Sequence, residues 1–211
     1  MKIHARFISA MLLAAVCLTP VWAQDAGEED VTLEKGDKAP GFALPEWSEE
    51  EREQAQEEGV ELPEKLSDFR GEKNLLVAFY PRVFTGGCTA QLCGYRDEFE
   101  LFVSADTDVI AISMDEQEES DRFREEYELP FYVVGDEEGA VVDAYGVPRG
   151  GEEGNEFASR SVFLVDKQGV IRYIDLEYGV EEGLAPLYEA MDEVVKEQEE
   201  AEQARLETSG N

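Results

Sequence analysis

Six consecutive apolar residues, Leu75 to Tyr80, stand between Asn74 and Pro81. A run of that kind fits a strand buried on both faces, so the fold needs a covering layer on either side of a sheet. The chain around it alternates between strand and helix patterns. Thr89 to Phe102 carries Leu92, Tyr95, Phe99 and Phe102 at spacings of three and four, which makes one apolar stripe on a helix. Val109 to Ser113 predicts a second strand, Gln117 to Tyr127 a very polar helix, and Phe131 to Val134, introduced by Pro130, a third strand. Val147 to Ser159 is rich in Gly and Glu and reads as a loop. Ser161 to Val165 and Val170 to Ile174, separated by Asp166-Lys167-Gln168-Gly169, predict a hairpin. A last helix sets Leu184, Leu187, Tyr188, Met191 and Val195 on one side and is expected to dissolve into Glu-rich sequence after Lys196. The sum is an α/β chain with a mixed central sheet flanked by helices on both faces and no internal repeat.

The N-terminus has a different character. Lys2 and Arg6 precede an apolar run from Phe7 to Leu18 and a small-residue exit at Val21-Trp22-Ala23, the pattern of an export signal cut after Ala23. The run is short for a membrane span and is soon followed by Asp25, Glu28 and Glu29. A retained anchor or a lipid on Cys17 is the alternative. The expected organisation is a signal peptide over 1–23, an acidic linker over 24–34, a domain over 35–197 entered by an extended arm from Lys35 to Pro45, and an acidic flexible tail over 198–211. Within the domain, residues 46–64 form a surface insertion, helical or loose, with little apolar surface to bury. The expected location is periplasmic or extracellular, with no stable membrane insertion after cleavage.

Charge removes whole classes of function. Fifty acidic residues against 18 basic ones give a formal net charge of -32, a field that repels nucleic acids and anionic membranes. With 43% hydrophobic and 10% aromatic residues a core still forms, so the acidity reads as a solvated surface of the halophilic type. No Asp-x-Asp-x-Asp-Gly calcium loop is present. Cleavage would also remove His4, the only histidine, and leave Cys88 and Cys93 of three cysteines. Ser-His-Asp and Cys-His hydrolysis and His-ligated zinc fall away, and two thiols cannot close a four-cysteine zinc site. No metal or cofactor is expected.

The chemistry that remains is thiol chemistry. Pro81-Arg82-Val83-Phe84-Thr85-Gly86-Gly87-Cys88 follows the first core strand, and Cys88 stands where the next helix starts. Unpaired backbone N–H groups and the positive end of the helix dipole favour a thiolate there, and the thiolate is the nucleophile. Thr85 can bring its hydroxyl beside the sulfur, and Gly86 and Gly87 allow close backbone approach to a small ligand. Taken by itself, Cys88 could equally be a small buried hydrophobe.

The spacing Pro-x-x-x-Thr-x-x-Cys resembles the active-site signature of the peroxiredoxins, thiol peroxidases built on a thioredoxin-like fold. Cys88-Thr89-Ala90-Gln91-Leu92-Cys93, trailed by Arg96-Asp97, is similar to the bacterioferritin comigratory, or Q-type, branch, in which a second cysteine lies five residues after the first. Arg160-Ser161-Val162-Phe163-Leu164-Val165-Asp166 resembles a strand of the same family. The likeness runs from about Lys35 to Tyr178. It implies Cys88 as the peroxidatic cysteine, Cys93 as the resolving one, Thr85 orienting the peroxide and Pro81 shielding the site. Arg160 would contact the sulfur and peroxide, its permanent charge stabilising negative charge on the departing oxygen. The implied substrates are hydrogen peroxide and organic hydroperoxides, the partner a thioredoxin-like or other dithiol reductant, and the chain a monomer or weak dimer. Three features depart from the pattern. Gly86-Gly87 replaces a Pro-containing step, Gln91 stands where the branch usually has Glu, and neither the insertion over 46–64 nor the loop around Gly150 has an assignable counterpart.

On an intact helix five residues rise about 7.5 Å and turn roughly 140°, too far for a disulfide, whose Cα atoms lie about 4.4–6.8 Å apart. The first turn after Cys88 is therefore expected to unwind before Cys93 can attack. Two other readings compete. An exported thiol-disulfide oxidoreductase predicts Cys-x-x-Cys near a Trp and a Pro where Arg160-Ser161 stands, and the sequence has neither. A non-catalytic exported interaction module predicts an unreactive Cys88.

Overall fold

A computed structural model describes residues 31–59 and 61–209. In chain order its elements are helix α1 (Glu49–Glu58), strand β1 (Asn74–Phe79), helices α2 (Gly86–Asp97) and α3 (Phe99–Ser104), β2 (Thr107–Ser113), α4 (Gln117–Glu126), β3 (Tyr132–Gly135), α5 (Ala140–Ala144), β4 (Arg149–Gly150), β5 (Phe157–Ala158), β6 (Ser161–Val165), β7 (Ile171–Asp175) and α6 (Ala185–Ser209). The five-stranded sheet has the order β3-β2-β1-β6-β7. The β1–β2 and β2–β3 pairs are parallel, whereas β6 runs antiparallel to both β1 and β7. The architecture is the expected mixed α/β sandwich of thioredoxin-like type.

The apolar run is continuous because β1 serves two cores. Leu76, Ala78 and the following Tyr80 face a layer built from Leu92 and Tyr95 of α2, Phe102 of α3, Phe123 of α4, and Leu187 and Met191 of α6. Leu75, Val77 and Phe79 face the other layer, with Leu44 of the N-terminal arm, Leu66 and Phe69 of a 3-10 turn, and Val142 of α5. Every residue of β1 is buried. Fully burying a Leu, Val or Phe side chain contributes about 1.5–3 kcal/mol, so Leu75, Leu76, Val77 and Phe79 make β1 the natural centre of the sheet.

The hairpin turn is set by one carboxylate. Asp166 Oδ1 accepts from the N–H groups of Gln168 and Val170, both at 2.9 Å, while Gly169 takes a positive φ of 74° that glycine tolerates. The arm enters as predicted, through isolated bridges between Lys38 and Val170 and between Ala43 and Lys65. The insertion is a true helix. Ser48 caps α1, its Oγ accepting from Glu51 N–H at 3.2 Å while Glu51 Oε2 accepts from Ser48 N–H at 3.0 Å. Of α1 only Ala55 is buried, and the insertion is held by Trp47 packed edge-on against Tyr132 and by Glu51 paired with Arg124 of α4 at 3.1 Å.

Several expectations change in detail. The helix over Thr89 to Phe102 is two helices, because Glu98 leaves helical geometry at φ -109°, ψ 18°. The break lets Phe99 meet Phe131 while Phe102 meets Tyr95. The loop over Val147 to Ser159 contains a small ribbon in which Arg149 faces Ala158 and Gly150 faces Phe157. Helix α5 was not foreseen. The last helix does not dissolve after Lys196 but continues to Ser209, its residues from 199 to 208 exposed. The signal segment over 1–23 and most of the linker lie outside the described residues.

Gly135 closes β3 against the start of α4. A Cβ there would lie 2.7 Å from the Asp115 carbonyl oxygen and 2.7 Å from Gln117 N. Gly135→Ala is therefore expected to cost about 1–3 kcal/mol, an overpacking penalty. Thermal unfolding checks it, and a midpoint equal to that of the unaltered protein would contradict the close approach.

Candidate active site

Thr85 occupies the N-cap position of α2 without a side-chain capping bond, and Cys88 is the third residue of that helix, in its first turn. The thiol is buried, with 1% of the residue exposed. Arg160, just before β6, reaches across from the neighbouring strand, and its Nη2 lies 3.7 Å from Cys88 Sγ. Strand pairing makes this approach possible, since Phe79 faces Ser161 and so brings the end of β1 level with Arg160. Gly87 makes it close. A Cβ at that position would stand 3.2 Å from Arg160 Nη2, so the second glycine accommodates the guanidinium.

The other end of the guanidinium is also held. Arg160 Nη1 donates to Gln91 Oε1, and Gln91 Nε2 donates to the Tyr95 hydroxyl at 2.9 Å. Gln91 is 3% exposed and Tyr95 fully buried. Burial, and secondarily neighbouring Tyr178, holds the Tyr95 hydroxyl well above the usual phenol range, so it stays a neutral partner. Tyr178 N–H donates back to the Arg160 carbonyl at 3.1 Å. The thiol's arginine is thus fixed through side chain and backbone alike.

The loop before the thiol is anchored from below. Asp115, two residues past the end of β2 and buried, accepts from Val83 N–H and from Ser113 Oγ, each at 2.8 Å, through Oδ2. Its Oδ1 lies 3.7 Å from Arg82 Nη1. Arg82 also donates to Asn155 Oδ1 at 2.7 Å and to the Glu156 carbonyl at 3.1 Å, tying the loop to the β4–β5 ribbon. The Gly86-Gly87 step therefore does not leave the loop unsupported.

Of the five residues singled out in the sequence, Cys88 and Arg160 are brought into contact. Thr85 is exposed at the mouth of the helix and donates its hydroxyl to the Arg82 carbonyl at 3.1 Å. Pro81 ends β1 and is half-buried. Cys93 is a free, half-buried thiol on the same unbroken helix as Cys88, also free. Gln91, Asp115 and Arg82 were not singled out for the roles they take. The only sequence signals were the unusual amide at position 91 and an acidic residue directly behind an apolar strand.

A cavity of about 620 Å³ lies elsewhere, between α1 and α4, lined by Trp47, Glu51, Arg124 and Tyr132 among others, and none of the five residues borders it. Cys88 instead lies buried between the first turn of α2 and the Arg160 guanidinium. Among the described residues no group of three or more His, Cys, Asp or Glu could hold a metal ion.

The pattern of the AhpC/TSA family matches residues 35–174. Peroxiredoxin Bcp of Bacillus subtilis is 35% identical over 142 residues, covering 66% of this chain and 82% of its own. Peroxiredoxin Bcp of Escherichia coli is 37% identical over 147 residues, covering 67% and 85%. Among solved structures, peroxidoxin BcpB from Mycobacterium tuberculosis superposes with a TM-score of 0.64 at 22% identity, over 77% of this chain and 99% of that one. Peroxiredoxin Q of Xanthomonas campestris gives 0.57 at 20% identity, over 64% and 86%.

Proposed function

The chain belongs to the AhpC/TSA family, in the Q-type (bacterioferritin comigratory) branch of the peroxiredoxins, and from that membership we propose that Cys88 and Cys93 carry its catalytic cycle. The protein is a thiol-dependent peroxidase, with a peroxide as substrate and a thiol as reductant. In the proposed cycle the Cys88 thiolate attacks one peroxide oxygen. The S–O bond forms as the O–O bond breaks, the sulfur is oxidised to sulfenic acid, and the departing oxygen takes a proton to leave as water or an alcohol. The single observation that carries this reading is the guanidinium of Arg160, 3.7 Å from a buried thiol at a helix N-terminus, a fixed positive charge beside the sulfur and the departing oxygen. Thr85 at the mouth of the site and Pro81 at the end of β1 are proposed to orient the peroxide and to shield the thiol.

Resolution is proposed to follow by attack of the Cys93 thiolate on the Cys88 sulfenic acid, with loss of water and formation of an S–S bond. Both cysteines sit on α2, so the first turn must open, five helical residues spanning about 7.5 Å. The rest of the helix is better anchored, because Arg96 donates to the Tyr127 carbonyl at 2.8 Å and Tyr95 lies in the core. A dithiol, thioredoxin-like or otherwise, then reduces the disulfide by exchange and is itself oxidised. Hydrogen peroxide and organic hydroperoxides are the proposed substrates, and a monomer or weak dimer the proposed form. The leader pattern of Met1 to Gln24 supports export to the periplasm or beyond, and no helix of the described residues is long and apolar enough to cross a membrane.

Peroxide consumption under excess dithiothreitol tests the reading, followed for the unaltered chain and for Cys93→Ser. In a separate measurement without dithiothreitol, peroxide added to the unaltered chain should remove two hydrogens as the Cys88–Cys93 disulfide forms. Cys93→Ser should instead accumulate sulfenic acid and, with more peroxide, gain a second oxygen on Cys88. The same gain of oxygen in both proteins after oxidation, with no loss of two hydrogens in the unaltered chain, would dismiss internal resolution.

A further inference from the structure

The cavity of about 620 Å³ between α1 and α4 falls within the volume range of small-ligand sites. Its wall is aromatic and already fixed. Trp47 meets Tyr132 at a ring-centroid distance of 5.3 Å and an interplanar angle of 78°, so the two rings turn their faces in nearly perpendicular directions. Trp47 Nε1 donates to the Pro63 carbonyl at 2.9 Å, and Tyr132 also packs edge-on against Phe69. A ligand would therefore meet both rings in place, with little ordering left to do.

The lining carries one sign of uncompensated charge. Glu50, Asp121, Glu125 and Glu128 border the cavity, and among the described residues none of them has a Lys or Arg within ion-pair distance. Arg124, the one basic residue of the lining, is paired with Glu51 at 3.1 Å. The start of α1 offers little to an anion, because Ser48 and Glu51 cap each other there. Glu128, just past α4, takes a positive φ of 50°, a backbone position that favours glycine. A carboxylate thus holds a strained place at the cavity's edge, and strain of this kind gathers at binding sites. Trp47 and Tyr132 also border a smaller cavity with Asp108, whose carboxyl is pushed up by burial and would gain from a positive charge nearby.

We propose that the cavity between α1 and α4 binds an organic cation, a quaternary or protonated amine on a small apolar body, with its charge against Trp47 and Tyr132 and among the carboxylates. A cation over an indole or phenol face is attracted by the ring quadrupole, and the carboxylates add attraction of the same sign. The apolar body of the ligand is what the aromatic wall rewards over a hydrated inorganic ion. None of the residues proposed for peroxide chemistry borders the cavity, so this site goes beyond the peroxidase reading and does not rest on it.

Calorimetric titration of the full chain with choline chloride at fixed ionic strength tests the proposal, beside neohexyl alcohol, the uncharged carbon analogue of the same shape. Choline should bind saturably and about tenfold tighter than the alcohol. Trp47→Leu should weaken choline binding about tenfold, and Glu125→Gln combined with Glu128→Gly about threefold. The second variant places glycine where the backbone is left-handed, so it should fold at least as well as the parent, and it decides the matter should Trp47→Leu loosen α1. Equal affinities for choline and the alcohol, no saturable binding of choline, or a choline affinity unchanged in the folded variants would overturn the cation site. Binding of a Lys-rich peptide with none of choline would overturn it too, in favour of a protein partner.

Discussion

Cys88→Ser is expected to reduce peroxide turnover by on the order of a thousandfold or more, because a serine hydroxyl neither ionises near neutral pH nor forms a sulfenic acid. The substitution is nearly isosteric. The Cys88 site is buried and bordered by Arg160 and the glycines of the α2 N-terminus, so the variant should fold and unfold as the parent does. Stopped-flow peroxide consumption measures the loss, and a thermal melt alongside it separates lost chemistry from lost structure. A Cys88→Ser protein that still consumes peroxide at the parental rate would remove Cys88 from the proposed cycle and leave Cys93 as the reacting thiol.

Arg160→Met is expected to have the second largest effect, a fall of about 10²–10³ in the rate constant for peroxide, the usual cost of removing one preorganised donor from developing negative charge. Methionine keeps the bulk and flexibility of the arginine stem but brings neither charge nor donor. Gln91 and the Cys88 sulfur would each lose a partner, so the loss combines electrostatics with looser geometry. Arg160→Lys should recover only part of the rate, since an ammonium cannot donate to Gln91 and Cys88 in the same fork. The rate of Arg160→Met with a large hydroperoxide and with hydrogen peroxide should fall by similar factors. A rate within threefold of the parent would show that the guanidinium is a bystander.

The sheet was legible in the sequence where burial on two faces forces an unbroken apolar run, as in Leu75 to Tyr80 and Val162 to Val165. The hairpin turn was legible because Asp166 and Gly169 act on backbone within four residues of themselves. Elements decided by distant partners were hidden. The β4–β5 ribbon depends on Arg149 reaching Asp143 at 2.8 Å and on the Phe157 ring lying against Gly150, contacts that leave no periodic trace. The break at Glu98 exists so that Phe99 and Phe102 can find different neighbours. The C-terminal helix was cut short in the sequence reading because it stops burying residues, yet its Glu, Ala, Gln and Arg content carries good intrinsic helix propensity without any packing.

The same division runs through the site. Thr85 and Cys88 could be marked because they occupy one strand-to-helix junction with fixed spacing, whereas Cys93 and Arg160 were marked only through the family resemblance of the segments around them. Gln91 and Asp115 could not be given roles, since each works by touching something far along the chain: Arg160 lies 69 residues from Gln91, and Val83 lies 32 from Asp115. Residue types suited to chemistry announce themselves, whereas those that aim them are recognised only once the chain is folded.

The pairing of β6 with β1 fixes when the thiol meets its arginine. Cys88 and Arg160 are 72 residues apart, and what joins them is the antiparallel register in which Phe79 faces Ser161. A chain still emerging from the ribosome, or crossing a membrane unfolded, carries the helix segment with Cys88 well before Arg160 has a strand to sit on. Throughout that interval the sulfur has no guanidinium beside it. On the proposed cycle, maturation and arming are then the same step, completed when β6 closes against β1.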